Sequence, residues 1–420
     1  MDTPVAILQD LSGPKIRITE IDESEKTLDN NSTTKLFFGD NTNKSTASKI
    51  YVSSLDPTKI LKPGHSILLA DGLIVLECSE VSDSHVDCKV IKGGELRSRV
   101  GIAFPDSDTQ LPATTEKDIE DFHWGLANNV DFFAISFVQR AADIKRLRKI
   151  AGEKGQEIKV IAKIELKIAL DNIDEILEET DAIMVARGDL GVELPIEKIP
   201  LTQKMLIEKS NNKGKPVIVA TQMLHSMVHS MRPTRAEVVD CANAVMTGAD
   251  AVMLSEETAI GSFPKESVEY LNKISIEAET SFTFEEYKLR LRHTDDGNVP
   301  DAVAYAACAA AAKIGAACII ACTETGTTAR LVAKYRPKGR LFGLSRNPGT
   351  LRRMALNYGV IPISMGNVES HSDEMKSALS KVKEIGNFSD GTNSVIIGGL
   401  SVNSPGSTSV LQIHQIGEKK

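Results

Sequence analysis

Between about residue 107 and residue 282 one rhythm recurs: a short apolar strand, a polar turn, then an amphipathic helix. The strands read as Asp131–Ser136, Ile158–Ile164, Ala182–Ala186, Pro216–Thr221 and Ala251–Ser255, and Val5–Leu8 adds a sixth. Strands alternating with helical stretches are the pattern of successive βα units in a parallel sheet. Each strand is apolar along its whole length, as expected where both faces are buried. The expected architecture is an α/β fold built on a (β/α)8-type barrel. Six strands are two short of closure, so the barrel is expected to lack its first two strands and to expose costly edges.

The rhythm differs on either side. From Ser12 to Asp106 short alternating runs with Gly-rich and Asn-rich turns, such as HSILLADGLIVLEC, predict a small inserted β-barrel lid. From about Asp301 the α/β pattern returns, with a helix at Asp301–Lys313, a strand at Cys318–Cys322, a helix from about Thr328, and strands near Arg340–Leu344 and Ser394–Ile397. The polar stretch His293–Pro300 reads as a linker. The expected domains are 1–11 with 107–285 (barrel), 12–106 (lid) and 300–420 (a C-terminal, three-layer α/β regulatory-type unit).

Composition narrows the functional classes. Against 49 Lys plus Arg stand 57 Asp plus Glu, a formal charge of −8, and only 5% of residues are aromatic. Such a chain has neither the basic stripe nor the stacking platforms that nucleic acid or an anionic membrane requires. The start MDTPVAILQD has no basic region followed by an apolar core, so no signal peptide is visible. Ala302–Cys322 carries Lys313 as its only charge, but alanine is weakly apolar and Gly315 divides the run, which reads as a helix followed by a strand rather than a membrane span. Six scattered cysteines suit reduced packing thiols in a cytoplasm, and Cys318 with Cys322 lacks the further ligands of a zinc set.

Polar residues gather where the strands end: Ser136, Lys163 with Glu165, Arg187 with Asp189, Thr221 with Gln222, and Ser255. In a βα barrel these ends form the rim that carries the active site. Lys163 and Glu165 are two apart on one strand and share a face, and Asp189 ends the next. Two carboxylates suit a hard divalent ion, and the lysine offers a compact positive charge for a transferring phosphoryl group or an enolate. The alternative is a buried Lys–Glu pair that holds the barrel together.

In MVARGDLG, Gly188 and Asp189 are expected in a sharp turn after a buried strand, where backbone N–H groups can bind a carboxylate or phosphate. Thr221 can place a hydroxyl over a substrate or simply satisfy a strand end. His225 and His229, four apart, lack the glutamate of a zincin motif. Thr323–Thr328, TETGTT, follows a strand and opens a helix, so Thr323, Thr325, Gly326, Thr327 and Thr328 form a candidate effector-phosphate site, against an ordinary Thr-rich cap.

The runs KVIAKIE, DAIMVARGDLGVELP, GKPVIVATQML, MRPTRAEVVDCANAVMTGADAVMLSEETAIG and YRPKGRLFGLSRNP resemble pyruvate kinase, and the similarity covers nearly the whole chain. The resemblance implies phosphoryl transfer from phosphoenolpyruvate to ADP, giving pyruvate and ATP in glycolysis, by a cytoplasmic homotetramer. It implies Glu165 and Asp189 as ligands of magnesium, or of manganese in its place, and Lys163 as the group that stabilises the phosphoryl group and enolate. It further implies Thr221 with Arg187, Gly188 and Asp189 as the substrate-carboxylate pocket, Arg17 as a nucleotide contact and Ser255 on the proton path. A sugar phosphate is the implied class of effector.

The chain also departs from the family pattern. A stretch that the family carries before this point, with two barrel strands and an Asn-Phe-Ser-His-Gly segment, has no counterpart in the sequence. Val100, Ala103, Leu166, Glu256 and His225 replace the family's lysine, asparagine, asparagine, glycine and glutamate. Lys15 stands where potassium-dependent members carry glutamate, so potassium is not an expected cofactor. The rival reading is a shortened, inactive relative that acts as a binding or assembly partner.

Overall fold

Strand β1 (Leu8–Leu11) opens a sheet that is resumed only after the lid, by β11 (Phe132–Ile135), β12 (Val160–Ile164), β13 (Ala182–Ala186), β14 (Val217–Ala220) and β15 (Ala251–Met253). The architecture is that of a computed structural model, which describes residues 3–40, 42–109, 111–281, 298–366, 371–399 and 408–417. The expected linker lies mostly outside the described residues.

All five pairings in this sheet are parallel, in the order β1-β11-β12-β13-β14-β15. The period of two along a strand sorts its side chains. Phe132, Ala134, Ile161, Ala182, Met184, Ile218 and Ala220 pack with Leu8 in an inner cluster. The alternate residues, among them Phe133, Ile135, Val160, Ala162, Ile183 and Val185, pack outward against α1 (Glu116–Ala127), α2 (Ala141–Glu153), α4 (Ile173–Glu179) and α6 (Ile199–Asn212). Short α3 (Lys167–Asp171), α5 (Arg187–Glu193), α7 (Arg235–Thr247), α8 (Glu256–Ala259) and α9 (Pro264–Glu279) complete the layer. Lys163 and Glu165 continue the inner set of β12, which aims both into the mouth of the sheet.

The first strand corrects the sequence reading. Pairing runs over Leu8–Leu11 instead of Val5–Leu8, because Val5 and Ile7 are exposed while Asp10 and Leu11 continue the ladder opposite Ala134 and Ile135.

The lid is a seven-stranded sheet in the order β10-β6-β7-β8-β4-β5-β2, made of β2 (Arg17–Ile18), β4 (Thr33–Phe38), β5 (Lys49–Ser53), β6 (Ser66–Leu69), β7 (Ile74–Val81), β8 (Val86–Lys92) and β10 (Ile102–Ala103). A bridge between Arg17 and Gly101 brings its ends together, so the sheet nearly closes. Its interior holds Leu36, Ile50, Val52, Ile67 and Leu76, all without exposure. Strands β3 (Thr27–Leu28) and β9 (Gly94–Glu95) pair separately.

The C-terminal unit is a five-stranded sheet, β18-β17-β16-β19-β20, comprising β16 (Cys318–Cys322), β17 (Arg340–Ser345), β18 (Val360–Ser364), β19 (Asn393–Gly398) and an antiparallel β20 (Val410–Gln415). Helices α10 (Val299–Ile314), α11 (Thr327–Lys334) and α12 (Pro348–Met354) pack on one face, and α13 (His371–Gly386) on the other, giving three layers. Gly315, at φ 62°, caps α10 in the left-handed region that glycine alone adopts without cost, and so turns the alanine-rich helix into β16. All six cysteines are free. Among the described residues no helix is long and apolar enough to cross a membrane.

The C-terminal unit is anchored to the floor of the barrel. Arg352 Nε lies 3.0 Å from both Asp131 carboxylate oxygens. Arg336 pairs with Asp250 at 3.0 Å with both side chains almost fully buried, and its guanidinium stacks on Tyr358 at 4.0 Å.

Candidate active site

Lys163 is held from three strands. Its Nζ lies 3.0 Å from Glu165 Oε1, and it donates to Ser136 Oγ at 2.8 Å and to Asp10 Oδ2 at 3.1 Å. The other oxygen of Glu165, Oε2, accepts from the Phe137 N–H at 2.7 Å. Burial by itself would depress the Lys163 pKa, but Glu165 and Asp10 outweigh it, so the net shift is upward and the ammonium stays charged. Burial, with Asp189 adding to it, pushes the Glu165 carboxyl up against the pull of Lys163.

Asp189 does not sit in a free turn. Helix α5 begins at Arg187, directly after β13, so Gly188 and Asp189 occupy its first turn. This corrects the expected sharp turn: the strand passes straight into helix, and Asp189 reaches the same cavity as Glu165. The Gly188 N–H donates to Thr221 Oγ1 at 2.7 Å. Thr221 and Gln222 have φ of 70° and 55°, a left-handed conformation that a β-branched residue rarely takes and that clusters at functional sites. The Arg187 side chain ties this corner together, with its guanidinium 2.5 Å from Asp240 and donating at 2.7 Å to the Thr221 carbonyl.

The cavity, of about 390 Å³, lies between lid and barrel and is lined by Lys15 and Phe104 on the lid side and by Glu165, Leu166, Asp189 and Glu193 on the other. Asp10 and Glu165 contact the Lys163 ammonium, and the charge of Asp189 acts on Glu165. Glu165 and Asp189 offer oxygen donors of the kind that suit a hard divalent cation.

Not every candidate converges here. Arg17 is exposed on the lid, its guanidinium donating to the Arg99 carbonyl at 2.8 Å; of the expected catalytic, substrate and metal residues only Glu165 and Asp189 line the cavity, and Arg17, Lys163, Arg187, Gly188, Thr221 and Ser255 do not. His225 belongs to a short 3-10 turn and lies 3.3 Å from Glu256. Among the described residues no group of three or more metal-ligating side chains occurs. In the threonine loop, Thr323 Oγ1 accepts from the Gly326 N–H at 3.0 Å, the Thr325 and Thr327 hydroxyls are 3.0 Å apart, and Thr328 meets Thr408 at 2.7 Å.

The sequence reading passed over Glu257. It is 1% exposed and accepts from Leu224 N at 3.0 Å and Ser255 N at 2.8 Å, pinning the end of β15 to the loop after β14. A pair of adjacent carboxylates shortly after a half-buried strand is the signal that marks it. Ser136 was read as a strand end without a role, and its neighbour Asp10 was not singled out.

This arrangement defines a phosphoryl- or enolate-handling barrel enzyme with a lid and an α/β appendage. Comparison with known proteins agrees. The family model described as "Pyruvate kinase, barrel domain" matches residues 1–268, and "Pyruvate kinase, alpha/beta domain" matches 301–414. The chain is 39% identical to the pyruvate kinase of Clostridium acetobutylicum over 99% of its own length and 88% of the relative's. It is 40% identical to that of Dictyostelium discoideum, covering 99% and 83%, and 36% identical to that of Staphylococcus aureus strain MRSA252, covering 100% and 72%. The chain belongs to the pyruvate kinase family.

Proposed function

We propose that the site around Lys163, beside the cavity that Glu165 and Asp189 line, carries out the reaction that family membership assigns to this chain: transfer of a phosphoryl group from phosphoenolpyruvate to ADP, giving pyruvate and ATP in glycolysis. The observation that carries this reading is the junction of Lys163 with Glu165 and Asp10, beside Asp189, at the mouth of a parallel sheet. Phosphoryl transfer demands charge neutralisation and positioning more than a nucleophile, and these residues provide both. Lys163 would meet the transferring group and the enolate oxygen. The Gly188 and Asp189 backbone would receive the substrate carboxylate, with the Thr221 hydroxyl fixed beside them. Glu165 and Asp189 would hold magnesium, or manganese, which when bound neutralises phosphate charge. Arg17 is the proposed nucleotide contact and Ser255 the proposed member of the proton path; both would have to act from outside the cavity lining.

Lys15 lines the same cavity. Its fixed ammonium replaces the need for a potassium ion, so turnover in lithium buffer should equal that in potassium buffer. The barrel is read as an eight-strand barrel without its first two strands, in the domain division 1–11 with 107–285, 12–106 and 300–420. A cytoplasmic homotetramer, and a sugar-phosphate effector at Thr323, Thr325, Gly326, Thr327 and Thr328, complete the reading. Family matches along both halves of the chain favour the enzyme over an inactive assembly partner. A coupled assay of pyruvate formation with magnesium and both substrates tests it: a folded chain without turnover returns the inactive partner.

A further inference from the structure

Helix α7 turns one face toward the loop that follows β14. Glu237, Asp240 and Cys241 stand three and four positions apart on that face, the spacing of neighbours on a helix surface. Glu237 accepts from the Ser226 N–H at 2.7 Å and from the Ser226 hydroxyl at 2.6 Å. Cys241 Sγ donates to the Met223 carbonyl at 3.3 Å. Asp240 reaches the loop indirectly: its Oδ2 accepts from Arg187 Nη1 at 2.5 Å, and Arg187 carries the contact onward.

The guanidinium is held in one orientation. Its Nη2 donates to the Thr221 carbonyl at 2.7 Å and lies 2.9 Å from Met223 Sδ. Its Nε is buried and has no hydrogen-bond partner among the described residues. Asp240 is the only carboxylate paired with it among those residues. The Arg187 side chain is 11% exposed and that of Asp240 39%, so the buried cation takes its direction from a carboxylate at the barrel surface. A planar fork aimed by one carboxylate transmits that carboxylate's position to whatever its other arm holds.

What the other arm holds is strained. Thr221, at φ 70°, keeps a left-handed backbone that a β-branched residue adopts only where its surroundings over-determine it. Its carbonyl is fixed by Arg187, and its Oγ1 accepts from the N–H of Gly188, the residue next to Arg187. A single side chain therefore ties the first turn of α5 to Thr221, and α7 fixes that side chain through Asp240.

The geometry points to Asp240 as a positioning residue for the substrate-carboxylate pocket: acting through Arg187, it keeps Thr221 left-handed and its hydroxyl against Gly188. This role rests on the reading of Thr221 and the Gly188 backbone as that pocket. The competing role is a plain ion pair between two barrel helices. A partly exposed pair of that kind adds little to stability and would leave substrate affinity where it was.

The test is calorimetric titration of the full chain with phosphoenolpyruvate in the presence of magnesium, beside thermal unfolding. Asp240→Asn keeps the shape of the side chain and removes its charge. It should weaken binding about tenfold, the effect of losing one charge-assisted contact that aims a binding group, with the melting temperature unchanged. Asp240→Glu should recover affinity, because its carboxylate can still follow the guanidinium. Arg187→Lys keeps the charge but lacks the fork that spans Asp240 and Thr221, so it should lose at least as much. The double variant should bind no more weakly than Arg187→Lys alone, since both changes break one chain of contacts. Full affinity in Asp240→Asn, additive losses in the double variant, or a loss that Asp240→Glu fails to recover overturns the inference. A parent chain that binds no phosphoenolpyruvate overturns the reading of the pocket instead. The crystal structure of Asp240→Asn then decides the positioning role, which stands if Thr221 leaves the left-handed region and falls if Thr221 remains there.

Discussion

Asp10 and Lys163, 153 positions apart in the chain, meet at 3.1 Å across the strand that separates them. The carboxylate comes from β1, the ammonium from β12, and between them Ser136, just past the end of β11, accepts from the same Nζ. Lys163 is thereby aimed by groups on both sides. Because Asp10 is half exposed, its replacement by Asn should leave the fold intact while loosening that aim. A fall in kcat of roughly tenfold is expected, the cost of one charge-assisted contact. A coupled assay reads it, with thermal unfolding as the control.

Glu165 separates ligation from architecture. If it serves a cation, Glu165→Gln and Asp189→Asn should each abolish magnesium-dependent phosphoenolpyruvate binding in titration calorimetry. A purely structural pair predicts the reverse: Glu165→Gln lowers the melting temperature while Asp189→Asn, whose side chain shares the cavity but not the ion pair, changes neither binding nor stability.

The pairing of Arg336 with Asp250 is the stability hot spot between barrel and C-terminal unit. Arg336→Met leaves a buried carboxylate without its cation, and the expected loss is about 3 to 5 kcal/mol. Urea unfolding measures it. Arg336→Met combined with Asp250→Leu should be less damaging than Arg336→Met alone, since no buried charge is then stranded.

Helix α7 starts with a reciprocal cap in which Thr234 and Glu237 satisfy each other's backbone N–H groups. Thr234→Ala should cost about 1 kcal/mol. Burial tends to raise the Glu237 pKa, but hydrogen bonds from Ser226 and Thr234 outweigh it and the net shift is downward. A lowered carboxyl contributes its stability above the unfolded-state value, about 4.3, and loses it as pH falls through the folded value. The stability gap between the parent chain and Glu237→Gln should therefore be full at pH 7 and shrink below about pH 4.3, as urea unfolding at the two pH values would record.

Lys163 and Glu165 were legible at their strand end because period two and buried strands are local properties, whereas Asp189, expected in a turn, lies in the first turn of α5. The partners of Lys163 were not, since nothing near Asp10 in the chain announces a residue 153 positions away. Strand β18 escaped notice because Pro362 interrupts it, and proline is tolerated there only because β18 lies at the sheet's edge. Strand β20 reads VLQIHQ, whose mixed polarity reflects a one-sided edge and not a buried core strand. The passage from β13 directly into α5 has no sequence signature either, because Gly188 looks like a turn residue and here merely continues a helix.

Alternation along β1 ties chemistry to register. Asp10 faces Lys163 because Leu8 and Asp10 look inward when Leu8 stands opposite Phe132. A slip of one residue along that ladder would swing Asp10 to the outer surface and carry Gln9 inward. Loss of turnover on warming would then precede global melting, with the rim strand behaving as the fuse of the catalytic machinery.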